Sequence, residues 1–421
     1  MPFEPEAGRP FSLPLKWTFT FCGDFEICDG EGRTFVSAAF HDGVKVSARF
    51  PYSTPFGGVK SREFLTLFAD KTGEMTLCFG GARLVLYRGR ELCDEEWPVG
   101  RTPDALYLKS GRVTVTEGCK PDDEHLEKGD ERSFSDIPSF RPEGTDSSCG
   151  DCMPFSDPKD GKYRLFFLYD RRHHHSKYGL GAHQWAQIST SDGRIWHTEP
   201  MAVGITEQWE GSICTGSVIE REGVYYAFYA VRMCDGSPAK LTFAKSTDCR
   251  HFTKAGKYFS LSAPYEPVSA RDPKLFRTDD GVFHMLVTTS VGGTGALAHL
   301  TSGDLENWDQ KDPFILAGKD TDQPECSDWF HMGDRYYLVF SLGGAARYRI
   351  SENPDGPWIE PPGGGIVVDR SFRVPKAARL GGKTVFAGFV LDPGCGYGGH
   401  IELYEAFQNP DGTLVFKKFG E

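Results

Sequence analysis

The stretch YRLFFLYD, residues 163–170, followed by SDGRIW, residues 191–196, contains the repeated unit that decides the fold. Its first part is an apolar, aromatic-rich run of the kind that forms buried strands. Its second part is a Ser-Asp-Gly turn that ends on an aromatic residue. The apolar run recurs as VYYAFYAVR from Val224, VFHMLVTTS from Val282, RYYLVFSLG from Arg335 and KTVFAGFV from Lys383.

The turn recurs with the strands. STDCRHF ends at Phe252, TSGDLENW at Trp308 and SENPDGPW at Trp358, so the aromatics from Trp196 onward are 56, 56 and 50 residues apart (252 − 196, 308 − 252, 358 − 308). A period of this size, with several strands per repeat, is typical of propeller blades. We predict an all-β protein with a five-bladed β-propeller over residues 149–421. In each turn Asp or Ser is expected to cap the backbone, while the aromatic packs between blades.

The first part of the chain has a different pattern. From Trp17 to about Val115, short segments such as TFTFC, VKVSARF and RLVLYRG alternate apolar and polar residues between Gly and Asp turns. This pattern predicts a β-sandwich of jelly-roll or lectin-like type over residues 1–118. The stretch from Cys119 to Cys149 is charged and rich in Pro, Gly and Ser, so residues 119–148 are predicted to form a surface linker.

Composition limits the classes of partner. Lys and Arg total 47 and Asp and Glu total 59, a formal net charge of −12, and no dense basic run occurs. Nucleic acid and anionic membrane surfaces are therefore not expected as partners. The N-terminus has no charged segment followed by an apolar one, so we expect a cytoplasmic protein. Its twelve cysteines, scattered singly, favour buried reduced thiols.

Three acidic residues are candidates for chemistry: Asp151 in CGDCMPF, Asp272 in SARDPKLF and Glu325 in QPECSDWF. Each lies near the predicted entrance of a blade. Side chains at the start of the innermost strands of a propeller can point into one central channel, so acids distant in sequence can meet there. The nearby Asp157 is expected only to cap the turn into the first strand.

These motifs resemble those of glycoside hydrolase family 32, the β-fructofuranosidase, inulinase and levanase family. Its wider clan includes the arabinan- and xylan-cleaving family 43. Arg271-Asp272-Pro273 resembles the family's Arg-Asp-Pro motif, and Glu325-Cys326-Ser327-Asp328 resembles its Glu-Cys-Pro-Asp motif. Asp151 fills the place of the nucleophile in the family's Asn-Asp-Pro-Asn-Gly motif. The segments HQWAQISTSDGRIW and CTGSVI also resemble family landmarks, and the resemblance covers the chain from about residue 149 onward.

The resemblance implies a retaining glycosidase that needs no cofactor. Asp151 would be the nucleophile, and Glu325 the general acid and then the base, a role that favours partial burial. Asp272 would bind sugar hydroxyls and stabilise the oxocarbenium-like state, with Arg271 holding its orientation. Double displacement requires about 5 Å between the carboxyl groups of Asp151 and Glu325. The expected reaction is removal of a terminal furanosyl unit, β-fructofuranosyl, from a small oligosaccharide.

The chain departs from the family at the sugar subsite. Gly150 replaces an Asn, Cys152-Met153-Pro154 replaces Pro-Asn-Gly, Leu168 replaces a Gln and Cys214 a Phe. The sandwich also precedes the propeller, whereas in the family it follows. These differences leave open an arabinan- or xylan-type furanosidase, either retaining or inverting. They also leave open a carbohydrate-binding protein or glycosyltransferase on the same scaffold.

Other residues are predicted to bind substrate. His183, Trp185 and Trp209 are candidates for the pocket wall because aromatic faces stack on sugar rings. Ser212 and Cys214, in or beside the CTGSVI landmark, are also expected to contact substrate.

Two further motifs carry weaker signals. The basic run Arg171–Lys177, which includes His173–His175, is predicted at the rim of the site, against substrate or another subunit of a homo-oligomer. No acidic or further His partner can be placed beside these histidines, so no metal site is predicted. Cys149 and Cys152 form a lone Cys-x-x-Cys without a second pair, which argues against zinc or redox chemistry.

Overall fold

The computed structural model describes residues 1–51, 64–98, 100–118, 133–134, 140–142, 144–179, 181–319 and 321–420. Within these ranges the chain is almost entirely β-structure. The helices are one four-residue turn, Ser176–Gly179, and one 3₁₀ turn, Pro362–Gly364. In the same ranges no helix has the length and hydropathy of a membrane span. The predicted all-β class is confirmed.

The N-terminal part is a sandwich of two antiparallel sheets. Its strands are β1 (Pro10–Phe11), β2 (Trp17–Phe21), β3 (Phe25–Asp29), β4 (Thr34–His41), β5 (Gly43–Arg49), β6 (Phe64–Ala69), β7 (Met75–Phe79), β8 (Leu84–Arg88), β9 (Glu91–Glu96), β10 (Leu106–Gly111) and β11 (Thr114–Glu117). One sheet has the order β1-β10-β3-β4-β5-β6 and the other β11-β2-β7-β8-β9. In β2 the buried Trp17, Phe19 and Phe21 alternate with partly exposed threonines, so one face of the strand enters the sandwich core.

The remaining strands form the propeller. They are β12 (Ser133–Phe134), β13 (Ser147–Ser156), β14 (Tyr163–Arg171), β15 (Gln184–Thr190), β16 (Trp196–Thr198), β17 (Glu210–Arg221), β18 (Val224–Met233), β19 (Lys240–Ser246), β20 (Thr253–Phe259), β21 (Arg271–Arg277), β22 (Phe283–Val291), β23 (Thr294–Ser302), β24 (Asp309–Gln310), β25 (Ile315–Leu316), β26 (Glu325–Met332), β27 (Arg335–Leu342), β28 (Ala345–Ser351), β29 (Phe372–Leu380), β30 (Lys383–Leu391), β31 (Gly399–Gln408) and β32 (Leu414–Lys418).

These strands fall into five antiparallel groups, β12–β16, β17–β20, β21–β25, β26–β28 and β29–β32. The first strand of each group touches the first strand of the next: β13 contacts β17, and the contacts continue through β21, β26 and β29. Contact of β29 with β13 closes the ring, and Cys149 pairs with Gly399 across the same junction. The predicted propeller and sandwich are therefore confirmed. We propose a domain boundary between residues 118 and 149, most of which lie outside the described residues.

The recurring turns have the predicted structural role. Asp192 accepts hydrogen bonds from the backbone N–H groups of Arg194 and Ile195, and Asp248 and Asp304 cap their own turns in the same way. The aromatics then pack on the preceding group of strands: Phe252 on Phe166, Trp308 on Phe228 and Trp358 on Phe314, with ring centroids 5.6–5.8 Å apart. These three turns thus fasten one blade to its neighbour, whereas Trp196 packs on Tyr163 of its own blade.

Buried carboxylates of the sandwich join it to the propeller. Strand β9 carries Asp94, Glu95 and Glu96, all at most 1% exposed. Arg172 Nη2 lies 2.6 Å from Asp94 Oδ2 and also binds Glu96, while Arg171 Nε donates to Glu95 Oε1 at 3.1 Å. The sequence predicted that this basic run lies at the rim, against substrate or another subunit. Within this run, Arg171 and Arg172 are paired with carboxylates of the sandwich, since buried charges require partners, whereas His174 lines the cavity described below.

Replacing Trp196 tests whether the aromatic at the end of a turn stabilises its own blade. Trp196 is fully buried, packs on Tyr163 at 6.0 Å and donates to Gly193 O. Trp196→Ala should lower the free energy of unfolding by about 3–5 kcal/mol. The adjacent Ile195 is 50% exposed, so Ile195→Ala should change it by no more than about 0.5 kcal/mol. Urea unfolding of both variants measures the difference, and similar losses would contradict this role.

Candidate active site

The innermost strand of every blade contains a β-bulge. Pairing with the second strand shifts register between Cys149 and Cys152, Ile213 and Gly216, Arg271 and Lys274, Glu325 and Asp328, and Arg373 and Lys376. A bulge leaves residues out of the ladder and re-aims their side chains. Three bulge residues have left-handed backbone conformations: Asp272 (φ 59°), Cys326 (φ 51°) and Val374 (φ 47°). Because the bulges occur at equivalent places, their side chains converge.

The convergence forms a cavity of about 390 Å³. Asp151, Asp272 and Glu325 all line it, so the structure brings the three predicted acids together. Two other described cavities have similar volumes, about 400 and 410 Å³, but none of the three acids lines them. The remaining lining residues are Leu168, His174, His183, Cys214, Thr215, Arg232, Arg271, Cys326, Arg373, Val374, Phe389, Leu391, Gly396 and Tyr397.

Asp151 lies on the cavity floor and is 7% exposed. Its Oδ2 accepts hydrogen bonds from Thr215 Oγ1 at 2.5 Å and Cys326 Sγ at 3.2 Å, and its Oδ1 accepts one from Tyr397 OH at 3.0 Å. Burial and the nearby Asp151 raise the pKa values of Cys326 and Tyr397 well above their usual ranges, so both are protonated donors at neutral pH. Donors from three other blades therefore fix the orientation of this carboxylate.

Asp272 is almost completely buried next to Asp151. Burial raises the pKa of Asp272 and the charge of Asp151 raises it further, whereas Arg271 opposes the rise. Its Oδ2 accepts a hydrogen bond from Cys326 N at 3.1 Å, and Arg271 Nε lies 3.6 Å from the same oxygen. Arg271 thus lies within ion-pair distance of Asp272, but its short hydrogen bond is made to Glu325.

That short bond joins Arg271 Nη2 to Glu325 Oε1 at 2.5 Å. Arg271 is itself held by Gln323 Oε1 at 2.6 Å and Ser269 O at 2.8 Å. The Glu325 side chain is 51% exposed, so it is more open than the partial burial expected from the sequence. Asp151 and Asp272 form the floor of the cavity, and Glu325 lies at its solvent side. This difference in exposure separates two deep carboxylates from one accessible to solvent.

The predicted substrate-binding residues fall into two sets. His183 and Cys214 line the cavity with Arg271. Trp185 is fully buried, donates to Cys214 O at 2.9 Å and packs on Phe166 and Tyr229, so it is a core residue and presents no face to the cavity.

Trp209 and Ser212 also lie outside the cavity lining. Trp209 packs on Tyr258, and Lys240 lies 5.8 Å from its ring centroid. The fully buried Ser212 accepts a hydrogen bond from His183 N at 3.3 Å, so it supports a lining residue. Asp157, expected only to cap a turn, accepts from Lys159 N and also binds Arg164 and Tyr225.

Several lining residues escaped the sequence analysis. Tyr397 comes from the Gly-rich loop before β31 and reaches Asp151 across 246 residues, so no local pattern indicated it. Thr215 lies within the quoted CTGSVI segment and could have been chosen for its hydroxyl. His174 was placed only in a general basic patch. Burial and the adjacent His183 lower the pKa of His174 to about 4, which makes it a neutral imidazole.

Fold and cavity together define the chain as a β-propeller protein built around an acidic central site. The family described as Glycosyl hydrolases family 32 N-terminal domain matches residues 155–356, which include Asp272 and Glu325 and begin just after Asp151. The sucrose-6-phosphate hydrolase of Escherichia coli is 27% identical over 194 residues, covering 44% of this chain and 39% of that protein. Residues 155–356 of the chain therefore match glycoside hydrolase family 32.

Solved structures show the same fold. Sucrose-6-phosphate hydrolase from Lactobacillus gasseri aligns with a TM-score of 0.56 at 17% identity, covering 67% of this chain and 63% of that one. A family 43 β-xylosidase/α-arabinofuranosidase from a compost microbial metagenome aligns with a TM-score of 0.53 at 17% identity, covering 68% and 98%. The chain matches less than half the length of the curated Escherichia coli relative.

Substitution of Asp272 separates backbone strain from charge at the bulge. Asn tolerates the left-handed conformation and removes the cost of burying a charge, so Asp272→Asn should unfold at or above the wild-type temperature. Val is β-branched and disfavours φ 59°, so Asp272→Val should lose about 1–3 kcal/mol. Thermal unfolding compares them. Equal destabilisation by both substitutions would show that the carboxylate itself, not the bulge geometry, dominates stability here.

Proposed function

We propose that the protein is a retaining glycosidase that releases a terminal β-fructofuranosyl unit from a small oligosaccharide. The observation that carries this proposal is the convergence of Asp151, Asp272 and Glu325 on one cavity. Hydrolysis of a glycosidic bond with retention requires one carboxylate beside the anomeric carbon and one carboxylic acid beside the leaving oxygen. The match of residues 155–356 to family 32 supports the same chemistry.

Asp151 is the proposed nucleophile. Its three donors hold the carboxylate in one orientation at the closed end of the cavity, where the terminal sugar would lie. A fixed nucleophile lowers the entropy lost in reaching the transition state. The hydroxyl of Tyr397 can also stabilise the negative charge on Asp151 before the bond between Asp151 and the sugar forms and again after it breaks.

Glu325 is the proposed general acid and base. Its exposure places it where a leaving group and then a water molecule can reach it. The hydrogen bond from Arg271 orients this carboxyl group, and the same guanidinium is near Asp272. Asp272 would accept hydrogen bonds from sugar hydroxyls and stabilise the positive charge that develops on the ring. Arg271 would therefore couple the positions of both groups.

The relatives suggest a phosphorylated disaccharide as one substrate. The Escherichia coli protein is named for sucrose 6-phosphate, and Arg232 and Arg373 line the present cavity in addition to Arg271. Guanidinium groups bind phosphate through paired, charge-assisted hydrogen bonds. We propose that these two arginines favour an anionic substituent on the sugar.

A pentofuranosidase or xylosidase on the same scaffold is the alternative. It is favoured by the structural likeness to the family 43 enzyme and by the replacement of sugar-contacting residues at Gly150, Leu168 and Cys214. The family 32 match and the sucrose-cleaving relatives favour fructofuranosides.

Amide substitutions test the catalytic roles. Asp151→Asn and Glu325→Gln should each lower kcat on the best of sucrose, sucrose 6-phosphate and kestose by roughly 10³-fold or more, with the fold retained. Asp309 is 85% exposed on its side chain and distant from the cavity, so Asp309→Asn is the matched control and should keep full activity. An active Asp151→Asn enzyme would remove the nucleophile assignment.

Proton NMR of the first product distinguishes the mechanisms and the substrate class. A retaining fructofuranosidase should release the β-anomer of fructose first, with mutarotation following. Aryl arabinofuranosides and xylosides should be cleaved far more slowly. Initial inversion, or a preference for the pentosides, would favour the alternative, and binding without sugar release would indicate a non-hydrolytic protein.

The cavity arginines provide a test of substrate charge. Arg373→Met should lower kcat/KM for sucrose 6-phosphate by about 10- to 100-fold, the equivalent of a charge-assisted hydrogen bond worth about 1.5–3 kcal/mol. Its kcat/KM for sucrose should change much less. Arg232→Met provides the matched comparison. If neither variant changes the ratio of the two substrates, the cavity does not select for phosphate.

A further inference from the structure

A cluster of metal-binding groups lies beside the acidic cavity. His174 Nδ1, His183 Nε2 and a carboxylate oxygen of Asp170 lie within 4.8 Å of one another. Both histidines line the cavity wall, whereas Asp170 is fully buried behind them. The sequence alone showed no acidic or second histidine partner for His173–His175. The fold supplies both, from the end of β14 and from the segment before β15.

The buried oxygen of Asp170 is the second observation that points to a ligand. Its Oδ2 has no hydrogen-bond partner although it is shielded from solvent. It is 3.3 Å from His183 Nε2 and 3.9 Å from His174 Nδ1, so it faces the two histidines of the cluster. A buried carboxylate oxygen in this state costs free energy unless a cation or donor completes it.

The spacing of the three atoms fits a small divalent ion. Bonds of about 2.0–2.1 Å in a tetrahedral site place neighbouring ligand atoms about 3.3 Å apart. The three separations here are 2.6, 3.3 and 3.9 Å, which average close to that edge. The shortest separation, 2.6 Å, is between His174 Nδ1 and His183 Nε2. His174 is 34% exposed on a turn, so its ring can move outward by the fraction of an ångström required.

Supporting bonds orient the carboxylate. The other oxygen, Asp170 Oδ1, accepts hydrogen bonds from Ser176 Oγ and from Arg171 N, each at 2.7 Å. Ser176 Oγ also accepts from Ala182 N at 3.3 Å, which ties the His174 turn to the segment carrying His183. Hydrogen bonds to the residues that bind a metal ion fix the orientation of those residues and raise the affinity of the site for the ion.

We propose that Asp170, His174 and His183 form a binding site for one divalent transition-metal ion of the zinc type, open to the acidic cavity. Two imidazoles and one carboxylate are a ligand set for such ions, and the cavity side leaves the fourth position to water or a substrate oxygen. Tyr397 stacks on His183 with ring centroids 4.9 Å apart and donates to Asp151. The ion would therefore lie one aromatic ring away from that carboxylate.

Zinc binding by the full-length protein tests the proposal. After treatment with a chelator and dialysis, titration with Zn²⁺ should show one ion per chain by calorimetry and by elemental analysis. Asp170→Asn and His174→Ala should each weaken binding by more than about 100-fold, because even the loss of an outer partner costs 10- to 100-fold. His174→Ala alters a partly exposed side chain, so it remains informative if Asp170→Asn fails to fold.

His173→Ala is the matched control. His173 belongs to the same turn but faces Asp392, with Nδ1 3.9 Å from Oδ2. It should bind zinc as the wild type does. Cobalt(II) in the site should give visible bands without the intense absorption of a thiolate ligand, which excludes binding at cysteine. Absence of stoichiometric binding, or equal affinity of wild type and His174→Ala, would overturn the proposal, whether or not the enzyme is active.

Discussion

The β-bulge at the start of each innermost strand is the constraint on which the site depends. A regular strand would send alternate side chains into the two faces of its own blade, and few would reach the channel. In the bulges, two residues stand opposite one in the partner strand, so one of the two can turn toward the centre. Asp151, Thr215, Asp272 and Cys326 all occupy such positions. The left-handed conformations of Asp272 and Cys326 are part of the same distortion.

The sandwich contributes to this site indirectly. Its strand β9 buries three successive carboxylates, and Arg171 and Arg172 of the propeller form ion pairs with them. Backbone N–H of Lys177 also donates to Glu96 Oε2 at 3.1 Å. The turn between these contacts carries His174. Removing one partner of a buried ion pair costs about 3–5 kcal/mol, so the turn is strongly held at both ends. The sandwich thereby positions part of the cavity wall.

Local sequence patterns predicted the strands whose formation depends on the residues within them. The apolar runs predicted β14, β18, β22, β27 and β30, and alternation predicted most strands of the sandwich. Strand β9 was missed because ELCDEE is acidic, and its carboxylates are buried by pairing with Arg83 of the sandwich and with Arg171 and Arg172 of the propeller. Trp185 was assigned to the pocket wall because the sequence does not show whether an aromatic residue near a predicted site faces the substrate or the core. Side-chain direction within a strand depends on register, which the bulges shift.

The acidic motif after β25 shows how one segment serves both chemistry and packing. Glu325 faces the cavity, whereas Asp328, on the far side of the same bulge, is fully buried. Asp328 pairs with Lys274 at 2.5 Å and accepts from Ala377 N at 2.6 Å, so it joins the blades on either side of its own.

Buried Lys376, beside Ala377, donates to Gly216 O and lowers the pKa of Asp272 against the effect of burial. Cations from several blades thus offset the mutual repulsion of the acids. Arg271 shares the strand of Asp272, but Lys376 comes from a blade other than those carrying Asp151 and Asp272. The charge balance of the cavity is therefore complete only when the ring of blades is closed.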